Sequence, residues 1–260
     1  MGLELNEPRS HYKEHYGRVV DQMPKLIEEG RTPLSVADLM ERRLNSQRTD
    51  WRDNYFFLGD AIAYSSDDKG FKVIVDAEQL RELTPQSNLR NGALVLADGV
   101  YEGLKGTEFS RKDIQSISNR RLKPKEAKKH PVWQTLAREQ GLLDSYVDST
   151  FAEMKERFGY TDGMGIYVED PKGFAGMRAW FVDWLRVDRS NAGGGVSLGY
   201  VIGRLVGVAL EAQSASNEPV IVNQLEQKVQ QALGSKTAFK HNGTLYVPVR
   251  EESDISVKNC

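Results

Sequence analysis

The sequence predicts an α+β protein in which antiparallel hairpins pack with helices around a central glycine-striped helix in the C-terminal half. Three observations carry that prediction. Strand-like runs come in adjacent pairs joined by turn residues, rather than alternating with helices as a doubly wound parallel sheet requires. Helical runs with one apolar face stand apart from these pairs. Gly195, Gly199, Gly203 and Gly207 recur every four residues within an apolar run, a spacing that lines up one bare face of a helix. Glycine inside a helix costs about 1 kcal/mol relative to alanine, so the stripe predicts backbone packed closely against backbone.

The elements follow in chain order. Residues 10–29 place Tyr12, Tyr16, Val19, Val20, Met23, Leu26 and Ile27 at helical intervals interrupted by Gly17 and Pro24, which predicts a broken helix ending near Gly30. Ser35 and Asp38 form a capping pair ahead of Val36, Leu39, Met40 and Leu44, the start of a second helix. The runs from Tyr55 to Tyr64 and from Phe71 to Val75 flank Ser-Ser-Asp-Asp-Lys-Gly, as a hairpin would. Asp76 is a candidate cap for a short helix to Leu83. Asn91-Gly92 then turns the chain into a strand from Ala93 to Leu96.

From Pro131 to Phe158 the residues Trp133, Leu136, Leu143, Val147, Phe151, Met154 and Phe158 mark one long helix. Residues 165–169 and 177–187 read as an antiparallel hairpin about Asp170-Pro171-Lys172-Gly173, with Trp180, Phe181 and Trp184 anchoring a core. After the glycine stripe, 223–233 keeps a helical rhythm that Gly234 ends. Phe239 to His241 and Thr244 to Val249 flank Asn242-Gly243, a two-residue hairpin turn. The expected organisation is a smaller N-terminal α+β unit (1–110), a basic connector (111–130), a C-terminal α+β domain (131–250) and a frayed tail (251–260).

Composition narrows the class. The chain has 260 residues, 28% charged and 39% apolar, with four Trp, nine Phe and ten Tyr, as expected of a globular protein with a sizeable core. Cys260 is its single cysteine, which excludes an intrachain disulfide and suits a reducing compartment. The N-terminus lacks a basic start followed by an apolar run. The longest apolar stretch, Val196 to Leu210, is interrupted by Arg204 and is shorter than the ~20 residues a bilayer requires. A soluble cytoplasmic protein with no membrane partner is the expectation.

Charge is segregated. Between Arg111 and His130 stand eight Lys or Arg (Arg111, Lys112, Arg120, Arg121, Lys123, Lys125, Lys128, Lys129) against Asp113 and Glu126, a net of +6 in a chain of net −2. Clustered cations suit an acidic partner, a nucleic acid or an acidic protein, and more often form a solvated linker or helix face, as the lack of interleaved aromatic side chains for base stacking favours here. The primary expectation is therefore a non-enzymatic interaction protein that contacts its partner through this segment. Self-association through the glycine face, forming a homo-oligomer, is a further candidate.

Candidate chemistry is sparse. Gly193, Gly194 and Gly195, expected between a strand and a helix, would offer backbone N–H groups to an anion, although the Lys-Ser/Thr of a P-loop is missing. Gly195-Val-Ser197-Leu-Gly199 fits the literal spacing of a nucleophile elbow. The alternative function is thus a hydrolase or phosphate-binding enzyme with Ser197 as nucleophile, His241 as base, and Glu211, Glu218 or Glu226 as the acid. His11 and His15 are four apart, yet Tyr12 stands where a metalloprotease helix needs Glu. Asp162, Glu169, Asp170 and Lys172 resemble a metal-dependent nuclease set, but Asp170-Pro171-Lys172 is better explained as a turn. No metal and no cofactor are implied.

Overall fold

The computed structural model describes residues 11–46, 49–67, 70–110, 112–113, 120–169, 173–209, 239–241 and 244–246. The chain is an α+β protein, and its contacts divide it into two units, 1–210 and 211–260. Among the described residues the first unit is built on one mixed sheet of twelve strands, whose main path runs β1-β12-β3-β10-β11-β9-β8.

The chain opens with β1 (Tyr12–Tyr16), α1 (Val19–Glu28), β2 (Arg31–Pro33), α2 (Val36–Asn45) and a 3-10 turn at Thr49–Trp51. Next come β3 (Phe56–Tyr64), β4 (Gly70–Ile74), α3 (Glu78–Arg81), β5 (Leu89–Arg90), β6 (Ala93–Val95), α4 (Val100–Gly103) and β7 (Thr107–Ser110). They are followed by β8 (Arg120–Leu122), α5 (Pro124–Ala127), α6 (Pro131–Ala137), α7 (Gln140–Phe158) and β9 (Gly163–Tyr167). The unit closes with β10 (Gly176–Val182), α8 (Leu185–Asp188), β11 (Ala192–Gly193) and β12 (Arg204–Ala209). In the second unit β13 (Phe239–His241) and β14 (Thr244–Tyr246) pair antiparallel, with His241 opposite Thr244.

All nine residues of β3 are buried, because helices cover both faces of the sheet at this strand. On one face Val19, Val20, Met23 and Leu26 of α1 pack with Phe57, Ala61, Ala63, Met177, Ala179, Phe181 and Leu205. Elsewhere α2 packs on α6 and α7, and the indole N–H groups of Trp133 and Trp180 donate to Met164 O (2.7 Å) and Ala61 O (3.1 Å). A buried tryptophan finds a partner for its one polar atom in this way. Arg43 of α2 spends all five of its donors on Trp51 O, Tyr146 Oη, Ser190 Oγ, Asn54 O and Asp183 O. That single side chain ties α2 to the 3-10 turn, α7 and the segment around α8.

Several expectations need correction. The glycine-striped helix does not form: residues 194–203 are loop and turn, and Gly207 lies within β12. Backbone stands close against a stripe glycine only at Gly203; Gly195 and Gly207 face side chains, and Gly199 has ordinary clearance. A Cβ on Gly203 would meet Gly17 O at 2.5 Å, one on Gly195 would meet Glu169 Cβ at 2.8 Å, and one on Gly207 would meet Leu26 Cγ at 2.9 Å. Spacing by four repeats on one face of a strand as well as of a helix, so the period alone does not choose between them.

Residues 12–16 are a strand rather than the first turns of a helix, because β12 lies beside them with Tyr12 opposite Val208 and Tyr16 opposite Arg204. Helix α1 then runs through Pro24 without a break. The long helix of 131–158 divides at Arg138, whose φ is +66° and whose guanidinium lies 3.0 Å from Asp76. Residue Asp76 itself has φ +51° and precedes the N-cap of α3, Ala77. β9 and β10 form no hairpin: β11 stands between them, antiparallel to β10 and parallel to β9. Beyond Val182 the chain turns into α8. The expected helix at 223–233 lies outside the described residues.

The sheet also joins what the expected organisation separated. Strands β10 and β12, from the segment assigned to a C-terminal domain, pair with β3 and β1 of the segment assigned to an N-terminal one. The contacts divide the chain after Leu210, not at 110 and 131.

Candidate binding surface

Of the three candidate cradle residues, Gly193 pairs opposite Phe181 within β11. Gly194 donates its N–H to Tyr167 O (2.7 Å) and accepts from Tyr64 Oη (3.0 Å). Gly195 O accepts from Arg178 Nη1 at 2.6 Å. No helix follows these glycines, and the Gly194 N–H is already engaged, so the arrangement is a packing site. A Cβ at Gly194 would lie 2.8 Å from Ile62 Cγ2.

Ser197 lies on no strand-turn-helix elbow. Its Oγ accepts the Gly199 N–H at 3.1 Å, a local turn bond, and sits against Gly92, where a Cβ would lie 2.4 Å away. His241 belongs to the second unit, and its side chain and the three candidate acids lie outside the described residues. His15 is buried on β1 with Nε2 3.7 Å from Glu29. Burial, with Lys13, Arg31 and Lys25 nearby, lowers its pKa against the opposing pull of Glu29. His11 lies just ahead of β1, in a turn. Asp162 pairs with Arg189, Glu169 lies 3.8 Å from Arg178, and Asp170 and Lys172 fall outside the described residues.

The described basic residues divide between two edges of the sheet: Lys112 follows β7, which pairs with β4, whereas Arg121, Lys123, Lys125, Lys128 and Lys129 lie in and around β8, which pairs with β9. Lys112 is exposed, as are Arg121, Lys123, Lys125 and Lys129 in and around β8 and α5. Lys128 pairs with Asp148 at 2.7 Å. Arg111 and the side chain of Arg120 lie outside the description.

A surface that the sequence reading passed over is built from the glycine-bracketed loop between β11 and β12. Tyr200 is 43% exposed, Val201 67% and Ile202 40%, beside Tyr16 at 51%. Tyr55 Oη donates to Ile202 O at 2.7 Å, and its ring packs on Phe181 and edge-on to Trp184. Burial raises the Tyr55 pKa, and so do the neighbouring phenol of Tyr16, through a hydrogen bond among other effects, and that of Tyr200. The Arg204 guanidinium lies 5.8 Å from the Tyr16 ring centre and 5.5 Å from that of Tyr55, held by Glu14 at 2.8 Å and by Asn54.

The loop is fastened at both feet. Arg178 and Tyr64 hold Gly195 and Gly194, while Leu198 donates to Gly92 O (2.9 Å) and accepts from the Val20 N–H (3.3 Å). At the other foot the Gly17 N–H donates to Gly203 O at 2.8 Å. None of these bonds uses a side chain of residues 200–202. Large side chains therefore project from a braced backbone. The available signal in the sequence was Gly199 and Gly203 bracketing Tyr-Val-Ile; read as a helix stripe, those glycines concealed it.

A mixed sheet in which the first and last strands of the unit lie side by side, with a braced loop beside them, defines a class of fold rather than an activity. No family model and no curated protein matches the sequence. Among solved structures the chain is similar to a nanoarchaeal protein described in the words "Accommodation of massive sequence variation in Nanoarchaeota by the C-type lectin fold". The TM-score is 0.60 at 19% identity, over 79% of this chain and 100% of that one. The likeness is one of fold. No helix among the described residues is long and apolar enough to cross a membrane.

Proposed function

We propose that this chain is a non-enzymatic binding protein whose contact face is formed by Tyr16, Tyr55, Tyr200, Val201 and Ile202 over Arg204. The observation that carries the reading is the exposure of four large side chains together on a braced loop and strand end. Contiguous apolar surface of this kind marks interaction sites. Tyrosine and arginine are enriched at protein interfaces, and Tyr, Ser, Gly and Asn, which supply rigid contact and adaptable hydrogen bonding to paratopes, recur from Ser190 to Arg204. The nanoarchaeal protein is described as accommodating sequence variation by its fold. Here a backbone held without the side chains of 200–202 supports the same use, with contact residues exchanged on a constant frame.

The basic segment offers a second contact, to an acidic partner. Cytoplasmic residence and self-association through the aromatic face belong to the same proposal, and are checked by cell fractionation and by sedimentation across concentrations. The central test is the variant Tyr200→Ala, Val201→Ser, Ile202→Ser. Its unfolding free energy should stay within about 0.5 kcal/mol of the parent, as for surface changes that touch no special feature. Molecules that co-purify with the parent chain from its native cell should be lost. An unchanged set of companions would refute the reading.

A further inference from the structure

Strand β8 ends the main path of the sheet: it pairs with β9, Arg120 opposite Ile166 and Leu122 opposite Gly163, and no other described strand lies along its outer side. An open strand edge is a row of backbone donors and acceptors that another extended chain can satisfy. Leu122 is buried, whereas Arg121 beside it is exposed. Within the next seven residues stand exposed Lys123, Lys125 and Lys129. Among the described residues these four cations make no ion pair; Lys123 Nζ reaches only Thr161 Oγ1, at 3.3 Å.

We propose that the outer edge of β8 receives an acidic polypeptide segment as an added strand, its carboxylates met by Arg121, Lys123, Lys125 and Lys129. The inference rests on the reading above that the basic segment contacts an acidic partner, and names the class of partner and the way it binds. Charge complementarity requires an anionic occupant. The strand edge selects a polypeptide, because backbone hydrogen bonding is what an edge supplies, whereas single-stranded nucleic acid relies on aromatic platforms, and residues 120–130 contain no Phe, Tyr or Trp.

The test uses the full chain and a fluorescein-labelled ten-residue peptide of alternating Glu and Val, with binding followed by fluorescence anisotropy. Alternation puts every carboxylate on one face of the added strand. Three comparisons accompany it: the same peptide N-methylated at alternate residues, a ten-nucleotide deoxyadenosine strand, and the double variant Arg121→Glu, Lys125→Glu. The parent peptide is expected to bind, at least tenfold more tightly than its N-methylated form and at least tenfold more tightly than it binds the variant. Equal binding of the N-methylated peptide would overturn strand addition while leaving an acidic partner in place. Tighter binding of the oligonucleotide, lost in the variant, would assign the segment to nucleic acid instead. Failure of both anionic probes to bind would remove the inference and the acidic-partner reading together.

Discussion

Gly203 and Gly199 are four residues apart in one loop, yet only the first stands where a side chain cannot be added. A Cβ on Gly203 would press on Gly17 O, whereas one on Gly199 would find its nearest neighbours at ordinary distances of 3.5 and 3.7 Å. Gly203→Ala should therefore cost about 1 to 3 kcal/mol, as overpacking does, and Gly199→Ala close to nothing, as measured by urea unfolding. Asp60 makes a second prediction at this scale. It is fully buried on β3, accepts the N–H groups of Val36 (2.7 Å) and Asp76 (2.9 Å), and lies 3.4 Å from Arg138. Burial outweighs these contacts and pushes its pKa up to about 6. Because the folded state holds this proton more tightly than the unfolded chain, the contribution to stability is full below the unfolded pKa of 3.8 and is lost as pH rises through 6. The stability of the parent relative to Asp60→Asn should increase by up to about 3 kcal/mol from pH 7 to pH 4. Glycine spacing alone did not separate Gly203 from Gly199, and the direction of the Asp60 shift was not legible either, since burial is set by helices and strands far away in sequence.

Local signals fixed some elements and misled on others. The Ser35–Asp38 capping box forms, with Ser35 Oγ accepting the Asp38 N–H and the Asp38 carboxylate accepting the Ser35 N–H, because both partners lie within one turn. The hairpin of β3 and β4 also forms, joined by turn residues. The apolar spacing of β1 suits a helix, and only the presence of β12 beside it makes it a strand. The periodicity of 131–158 predicts one continuous helix, since nothing in it reveals Arg138 at positive φ. Contacts of this kind are worth testing at Arg43, whose donors serve five acceptors from three segments. Arg43→Lys keeps the charge but cannot span them, and should cost about 3 kcal/mol, the scale of buried charge-assisted bonds lost with acceptors left unpaired. A loss of less than about 1 kcal/mol in thermal or urea unfolding would show that the network is slack.

At the scale of the molecule, fold class was legible and connectivity was not. Adjacent strand pairs signalled α+β, but the pairings that make a single sheet join residues as far apart as Tyr12 and Val208, and no local pattern encodes them. The proposed contact face was hidden for the same reason: Tyr16, Tyr55 and Tyr200 come from three distant stretches and meet only once β1, β3 and β12 are aligned. Residues 1–210 expressed alone should accordingly unfold cooperatively, whereas residues 131–250, deprived of β1 and β3, should remain without fixed tertiary structure by near-ultraviolet circular dichroism. The neighbourhood of β1 and β12 has a consequence for biosynthesis. At translation rates of ~5 to 20 residues per second, Tyr12 leaves the peptidyl-transferase centre roughly 10 to 40 s before Val208, its partner in the ladder. Until β12 is made, β1 lacks its ladder partner and β3 one of its neighbours, so the ordering of this part of the sheet waits on the last strand of the unit to be synthesised.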